Sequence, residues 1–102
     1  MKRIEIAELL NNGGKHLGTS ILVKGWVRAF RSNRFIQLND GSCMGNIQAV
    51  IDFENFDEAT LRRITTASAI GVEGELVSSQ GGGQAFEIQV TRLEIIGDAH
   101  PD

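Results

Sequence analysis

The sequence predicts an all-β fold, a barrel of five strands with a short N-terminal helix and a second helix between the third and fourth strands. Apolar and polar residues alternate with a period of two along most of the 102 residues, as half-buried strands require. Only two segments depart from this period. Gly25, Gly71 and Gly74 lie inside predicted strands, where the tight coiling of a barrel favours residues without a side chain.

The first predicted element is a helix that ends at Asn12-Gly13-Gly14, and its apolar residues are Ile4, Ala7, Leu9 and Leu10. Three strands follow it. Their inward-facing residues are, in order, Ile21, Val23, Gly25, Val27 and Ala29; Ile36 and Leu38; and Ile47, Ala49, Ile51 and Phe53. Trp26 alternates with the first set, and we expect it to pack under the N-terminal helix.

The second helix follows the third strand. Asp57 can cap its N-terminus, and its apolar side consists of Leu61, Ile64 and Ala67. The last two strands carry the inward-facing residues Ile70, Val72 and Leu76, then Phe86, Ile88 and Val90. Five strands with a helix between the third and fourth are the arrangement of the OB-fold barrel. We favour it over an open α+β sheet because the strands are short and one helix suffices to close an end of a barrel.

Composition limits the kind of protein. The chain is long enough for one domain, and 41% of its residues are apolar. We expect residues 1–97 to form the domain and residues 98–102 to begin a linker. No apolar run is long enough to span a membrane, and the N-terminus lacks a secretory signal, so we expect no membrane partner and a cytoplasmic location. The only cysteine is Cys43 and the two histidines lie far apart, so we predict no metal site.

One face of the predicted barrel has the chemistry of a nucleic-acid site. OB-folds bind oligonucleotides across strands two and three, between the loops that follow strands one and four. The first of these loops, Arg31–Arg34, is basic, and the second, Ser78–Gln84, is rich in glycine. The side chains expected to point outward here are Phe35 and Gln37; Asn46, Gln48 and Val50; and Glu87 and Gln89.

Each of these residue types suits an unpaired base. An exposed phenylalanine is a stacking platform, a glutamine amide matches the donor and acceptor of a uracil edge, and a glutamate accepts from the donors of guanine. Arg31 can contact a carbonyl or a phosphate. The pattern leaves simpler interpretations open: Phe35 in a minor core, Gln37 and Gln48 merely solvated, and the basic residues an ordinary soluble face.

Several segments together resemble a known family. They are Lys24–Arg28 (KGWVR), Phe35–Ser42 (FIQLNDGS), Asn46–Ile51 (NIQAVI) and Gln84–Gln89 (QAFEIQ). This series resembles the N-terminal anticodon-binding domain of class IIb aminoacyl-tRNA synthetases, and within that family it looks most like the asparaginyl member.

The resemblance implies roles for matching positions. Phe35 would stack on the middle anticodon base, a uracil, Gln48 would contact the edge of that base, and Arg31 would belong to the same site. Glu87 would lie at the first base, a guanine or its derivative. Lys24, Arg28 and Arg34 match more weakly, and phosphate contacts are expected of them. The family's common basic residues after G-W-V-R are replaced here by Ala29 and Phe30.

The resemblance also implies a larger parent. That enzyme, a homodimer, would use ATP and Mg²⁺ to attach asparagine to tRNA-Asn. The present chain carries no catalytic motif of that family, so we expect it to bind an anticodon stem-loop without being an enzyme and without a cofactor of its own. The alternatives are the same domain of an aspartyl or lysyl enzyme, a free-standing single-strand-binding protein, and a protein-interaction domain with Phe35 as an anchor.

Overall fold

A closed five-stranded barrel is the centre of the computed structural model, which describes residues 2–32, 34–79 and 86–97. The elements are α1 (Ile6–Asn12), β1 (Ser20–Arg31), β2 (Phe35–Asn39), β3 (Ile47–Val50), α2 (Glu58–Arg63), β4 (Ala69–Ser78) and β5 (Phe86–Gly97), with 3-10 turns at Gly13–Lys15 and Phe53–Asn55. The strands follow one another around the barrel in the order β1-β2-β3-β5-β4. The pair of β3 and β5 is parallel, and the other neighbouring strands are antiparallel. The predicted OB-fold, with its two helices, is confirmed.

Most of the core of the barrel consists of residues that the alternation places inward. Every strand contributes fully buried aliphatic side chains, and α1 adds Ile6 and Leu9. Phe86 and Val90, expected to face inward, are half-buried and pack against this core. The side chain of Phe53 lies outside the described part of the chain. Neither helix among the described residues is long and apolar enough to cross a membrane.

The N-terminal helix is held to the barrel by the connection between β2 and β3. The Asp40 carboxylate accepts a hydrogen bond from the backbone N–H of Ile6 at 2.9 Å, and the Ser42 hydroxyl accepts one from Ala7 at 2.9 Å. Partial burial alone would raise the pKa of Asp40, but hydrogen bonds from Ser42 and Ile6 outweigh it and hold that pKa below its usual 3.8. Two distant residues thus satisfy the free N–H groups at the start of α1.

The second helix begins as the sequence predicts and ends earlier. The Asp57 carboxylate accepts a hydrogen bond from the backbone N–H of Thr60 at 2.8 Å, which confirms the expected cap. Hydrogen bonding to the Thr60 side chain, and then to this N–H, lowers the pKa of Asp57. Ile64 is buried just beyond the last helical residue, Arg63. The expectation for Ala67 is wrong, because this exposed residue has a φ of 75° and lies in the turn that leads to β4.

A bulge at Arg28 changes the face of β1 that points inward. Val27 pairs with Leu38, but Ala29 pairs with Gln37, so Arg28 is an extra residue on β1. The alternation therefore shifts by one, and Phe30 packs against the core where Ala29 is expected. Ala29 and Arg31 face outward instead, since directly paired residues of antiparallel strands share a face.

Trp26 also departs from the expectation. It lies on the outer surface of the barrel, 38% exposed, rather than under the N-terminal helix. Its ring lines a shallow cleft with Lys24, Glu94 and Ile96, away from β3.

Candidate nucleic-acid interface

Three polar side chains lie side by side across β2, β3 and β5. Gln37 is directly opposite Gln48 in the antiparallel pair, and Gln48 is opposite Glu87 in the parallel pair. The Gln37 Nε2 donates to the Gln48 Oε1 at 3.0 Å, and the Gln48 Nε2 donates to the Glu87 Oε2 at 3.0 Å. We call these three residues the polar row. All of them are half-buried.

The chemistry of the polar row fixes its direction. An ionised carboxylate accepts hydrogen bonds and donates none, so Gln48 must present its NH₂ group to Glu87. The oxygen of Gln48 then points toward β2, where it accepts from the NH₂ group of Gln37. All donors of the row therefore point toward β5, and the amide of Gln48 presents a defined order of donor and acceptor.

Phe35 lies on the same face, two residues before Gln37. It opposes Val50 of β3 and Arg31 of β1. The half-buried apolar residues that pack against the core include other phenylalanines, Phe30, Phe56 and Phe86, but not Phe35. The structure thus leaves the ring at the surface of the barrel rather than in a minor core.

Two arginines flank this ring. Arg31 is directly opposite Phe35 because the bulge at Arg28 turns Arg31 to this face. The guanidinium carbon of Arg34 is 5.8 Å from the centroid of the Phe35 ring, within reach of a cation–π interaction. A turn holds the two arginines, since the Arg34 N–H donates to the Arg31 carbonyl at 3.0 Å.

The sequence-predicted site residues separate into two groups. Arg31, Arg34, Phe35, Gln48 and Glu87 come together on the face of β2, β3 and β5. Arg28 is exposed at the bulge beside them. Lys24 does not join them, because it pairs with Gly71 of β4 and lines the cleft with Trp26. Of the glycine-rich loop, residues 80–85 lie outside the described part of the chain.

Gln37 is the member of the polar row to which sequence analysis assigns no separate role. Its outward orientation is predicted, yet its contact with Gln48 depends on the register between β2 and β3, which alternation alone does not give. No group of three or more histidine, cysteine or acidic side chains arranged to hold a metal ion occurs within residues 2–32, 34–79 and 86–97.

Comparisons with known proteins agree with this geometry. Residues 21–96 match the family model of tRNA anticodon domains, described as an OB-fold nucleic acid binding domain. The whole chain is 45% identical to the asparagine–tRNA ligase of Cytophaga hutchinsonii, and 99% of it is 49% identical to that of Porphyromonas gingivalis. It spans only 23% and 22% of the lengths of these relatives.

A solved structure supports the fold. The asparaginyl-tRNA synthetase of Pyrococcus horikoshii aligns with 97% of this chain at a TM-score of 0.77, with 21% identity, and the chain covers 23% of it. Because the sequence identity is only 21%, this similarity establishes the fold and not the function. With the family model matching most of the barrel and an ordered polar row across its binding face, the chain belongs to the tRNA anticodon family of OB-fold nucleic acid binding domains.

Proposed function

We propose that this chain is the anticodon-binding module of an asparagine–tRNA ligase and that it binds the anticodon stem-loop of tRNA-Asn. The observation that carries the proposal is the polar row beside Phe35, with Arg31 and Arg34 at its edge. A stacking ring, an oriented amide, a carboxylate and two cations on one surface suit an unpaired base attached to its phosphates.

Each side chain has a separate part in this binding. The ring of Phe35 stacks on the middle base, and the amide of Gln48 contacts the edge of the same base. Glu87 accepts from the N1–H and N2–H₂ donors of a guanine at the first position. The arginines contact phosphates or base carbonyls, because a guanidinium presents its donors as a planar fork.

The joining of asparagine to tRNA belongs, in this proposal, to a longer parent enzyme. We propose that residues 98–102 begin a linker to a catalytic domain, which joins asparagine to tRNA at the expense of ATP with Mg²⁺. The parent is a cytoplasmic homodimer in this proposal. The support is the 45% and 49% identity to asparagine–tRNA ligases of which this chain spans 23% and 22%. The chain itself does not activate the amino acid.

The test is binding of stem-loops that differ at one anticodon base at a time. We expect replacement of the middle uracil to weaken binding about tenfold, since one mismatched polar pair costs about 1–3 kcal/mol. Stem-loops with the aspartate and lysine anticodons separate the asparagine assignment from its relatives. Equal affinity for every loop would contradict the proposal and indicate a sequence-tolerant single-strand-binding protein.

A further inference from the structure

We propose that Gln37 is a positioning residue and that the polar row recognises the middle base as one oriented unit. In this unit Glu87 determines which end of the Gln48 amide faces which strand, and Gln37 holds the other end by donating to its oxygen. The inference rests on the proposed function, because the base that Gln48 contacts is assigned there. It extends that function by making the recognition depend on a residue that touches Gln48 rather than the base.

The two hydrogen bonds carry this inference. Gln37 and Glu87 lie on opposite sides of Gln48, and each bond is 3.0 Å long. If the Gln48 amide rotated by half a turn, its oxygen would face the Glu87 carboxylate and its NH₂ group would face the NH₂ group of Gln37. The contact with Glu87 would then be repulsive whatever the carboxylate did, and the contact with Gln37 would be restored only if the Gln37 amide turned as well. Glu87 therefore specifies the native direction, and Gln37 completes it by donating to the Gln48 oxygen.

The direction of the amide decides which base fits. Uracil presents the O4 acceptor next to the N3–H donor, whereas cytosine presents the N4–H₂ donor next to the N3 acceptor. An amide fixed in one direction pairs with one of these edges and opposes the other. A base held by stacking on Phe35 has little freedom to compensate, so an oriented Gln48 discriminates uracil from cytosine.

Reversing the row is the sharpest experiment. Glu87→Gln removes the acceptor-only end beside β5, and Gln37→Glu creates one beside β2. In the double variant Q37E/E87Q both hydrogen bonds between the members of the row can form again, but every donor points the other way. Its net charge equals that of the wild type.

The expected outcome has two parts. Q37E should be less stable to urea, because the Gln48 oxygen then faces one of two carboxylates, whereas E87Q should keep most of its stability, because a row of three amides is hydrogen-bonded in either direction. Each should discriminate uracil from cytosine about tenfold less well, since Gln48 is no longer held in one direction with its full set of partners. The double variant should recover stability while its preference at the middle base changes from uracil to cytosine. If Gln37 contributes only to stability, the double variant should recover its stability and still prefer uracil.

Glu75→Gln supplies the matched control. Glu75 is an exposed residue of β4 that pairs with Gln89 and takes no part in the polar row. The variant Q37E/E75Q has the same net charge as Q37E/E87Q, yet it leaves Gln48 between two carboxylates. We expect it to stay destabilised and to show no preference for cytosine.

The results separate this inference from the proposed function. If the wild type prefers uracil and Q37E/E87Q keeps that preference, or if the two single effects on stability simply add, the oriented row is wrong and the proposed function stands. If the wild type binds all middle bases equally, the proposed function fails and the recognition role of Gln37 fails with it. The unfolding measurements then still report on the hydrogen bonds alone.

Discussion

At the scale of single residues, the position of Phe35 distinguishes a binding surface from a core. The chain has five phenylalanines, and three of them, Phe30, Phe56 and Phe86, pack against the core. Phe35 instead lies between Arg31 and Val50 on the surface of the barrel, near the guanidinium of Arg34. Its ring is therefore available to a ligand at little cost to the fold.

Replacement of Phe35 tests this distinction. We expect Phe35→Ala to weaken anticodon stem-loop binding by about 1–3 kcal/mol, the contribution of one stacked base. The free energy of unfolding should change little, because the ring is not part of the core. Titration calorimetry and urea unfolding of the same preparation measure the two effects.

Phe56→Ala is the matched control for this prediction. Phe56 packs against the core just before α2 and takes no part in the polar row. Its loss should lower the free energy of unfolding by about 2 kcal/mol or more and leave the affinity of the folded domain unchanged. If Phe35→Ala lowers the free energy of unfolding as much as Phe56→Ala does, Phe35 belongs to the core and the prediction is wrong.

At the scale of elements, alternation predicts the strands but not their pairing. The inward-facing residues of β2, those of the third strand from Ile47 to Ile51, and most of those of β1 are correct, because side-chain direction follows directly from a period of two. The bulge at Arg28 is not predictable in this way, since an extra residue is recognised only against the register of β2. This one residue brings Arg31 to the face of Phe35, and for the same reason the contact between Gln37 and Gln48 emerges only in the structure.

Close approach of β4 and β5 gives a prediction about glycine. A methyl group on Gly74 would overlap the backbone carbonyl of Gln89, next to the bulge of β5. One on Gly71 would make only ordinary van der Waals contacts, with Lys24 Cγ at 3.5 Å and Ile96 Cδ1 at 3.7 Å as the nearest atoms. We expect Gly74→Ala to destabilise the barrel by about 1–3 kcal/mol and Gly71→Ala by less than about 0.5 kcal/mol. Thermal unfolding of the two variants compares them, and equal midpoints would mean that the strands separate easily at Gly74.

The anchor of α1 gives a prediction about pH. The pKa of Asp40 is below its ordinary value of 3.8 in the folded domain, so ionised Asp40 stabilises the fold above that pH. This contribution is lost as the pH falls through the lower, folded-state pKa. We expect Asp40→Ala to cost about 1 kcal/mol at pH 7, and the gap to the wild type should narrow below about pH 3.8. A gap that stays constant down to pH 2 would show that the charge of Asp40 plays no part.

At the scale of the whole molecule, the distribution of charge disfavours binding to RNA of any sequence. The net charge is −3, and an acidic segment, Asp52–Glu58, follows β3. The basic residues next to the polar row are Arg28, Arg31 and Arg34, while Lys24 lies at the cleft with Trp26 and Glu94. With so few cations, affinity has to come mainly from stacking and base-edge contacts, which favours recognition of particular bases over coating of any strand.

Salt dependence measures this arrangement directly. Each neutralised phosphate of a single strand contributes about 0.7 to the slope of log affinity against log salt, so three arginines should give a slope of about −2. Arg31→Ala should make the slope shallower by about 0.7, because it removes one of these contacts. Lys24→Ala removes the same charge from the other part of the surface and should leave the slope unchanged. A wild-type slope near −5, or a slope that falls equally in both variants, would mean that the RNA also contacts the surface around Trp26, and that the binding face extends well beyond β2, β3 and β5.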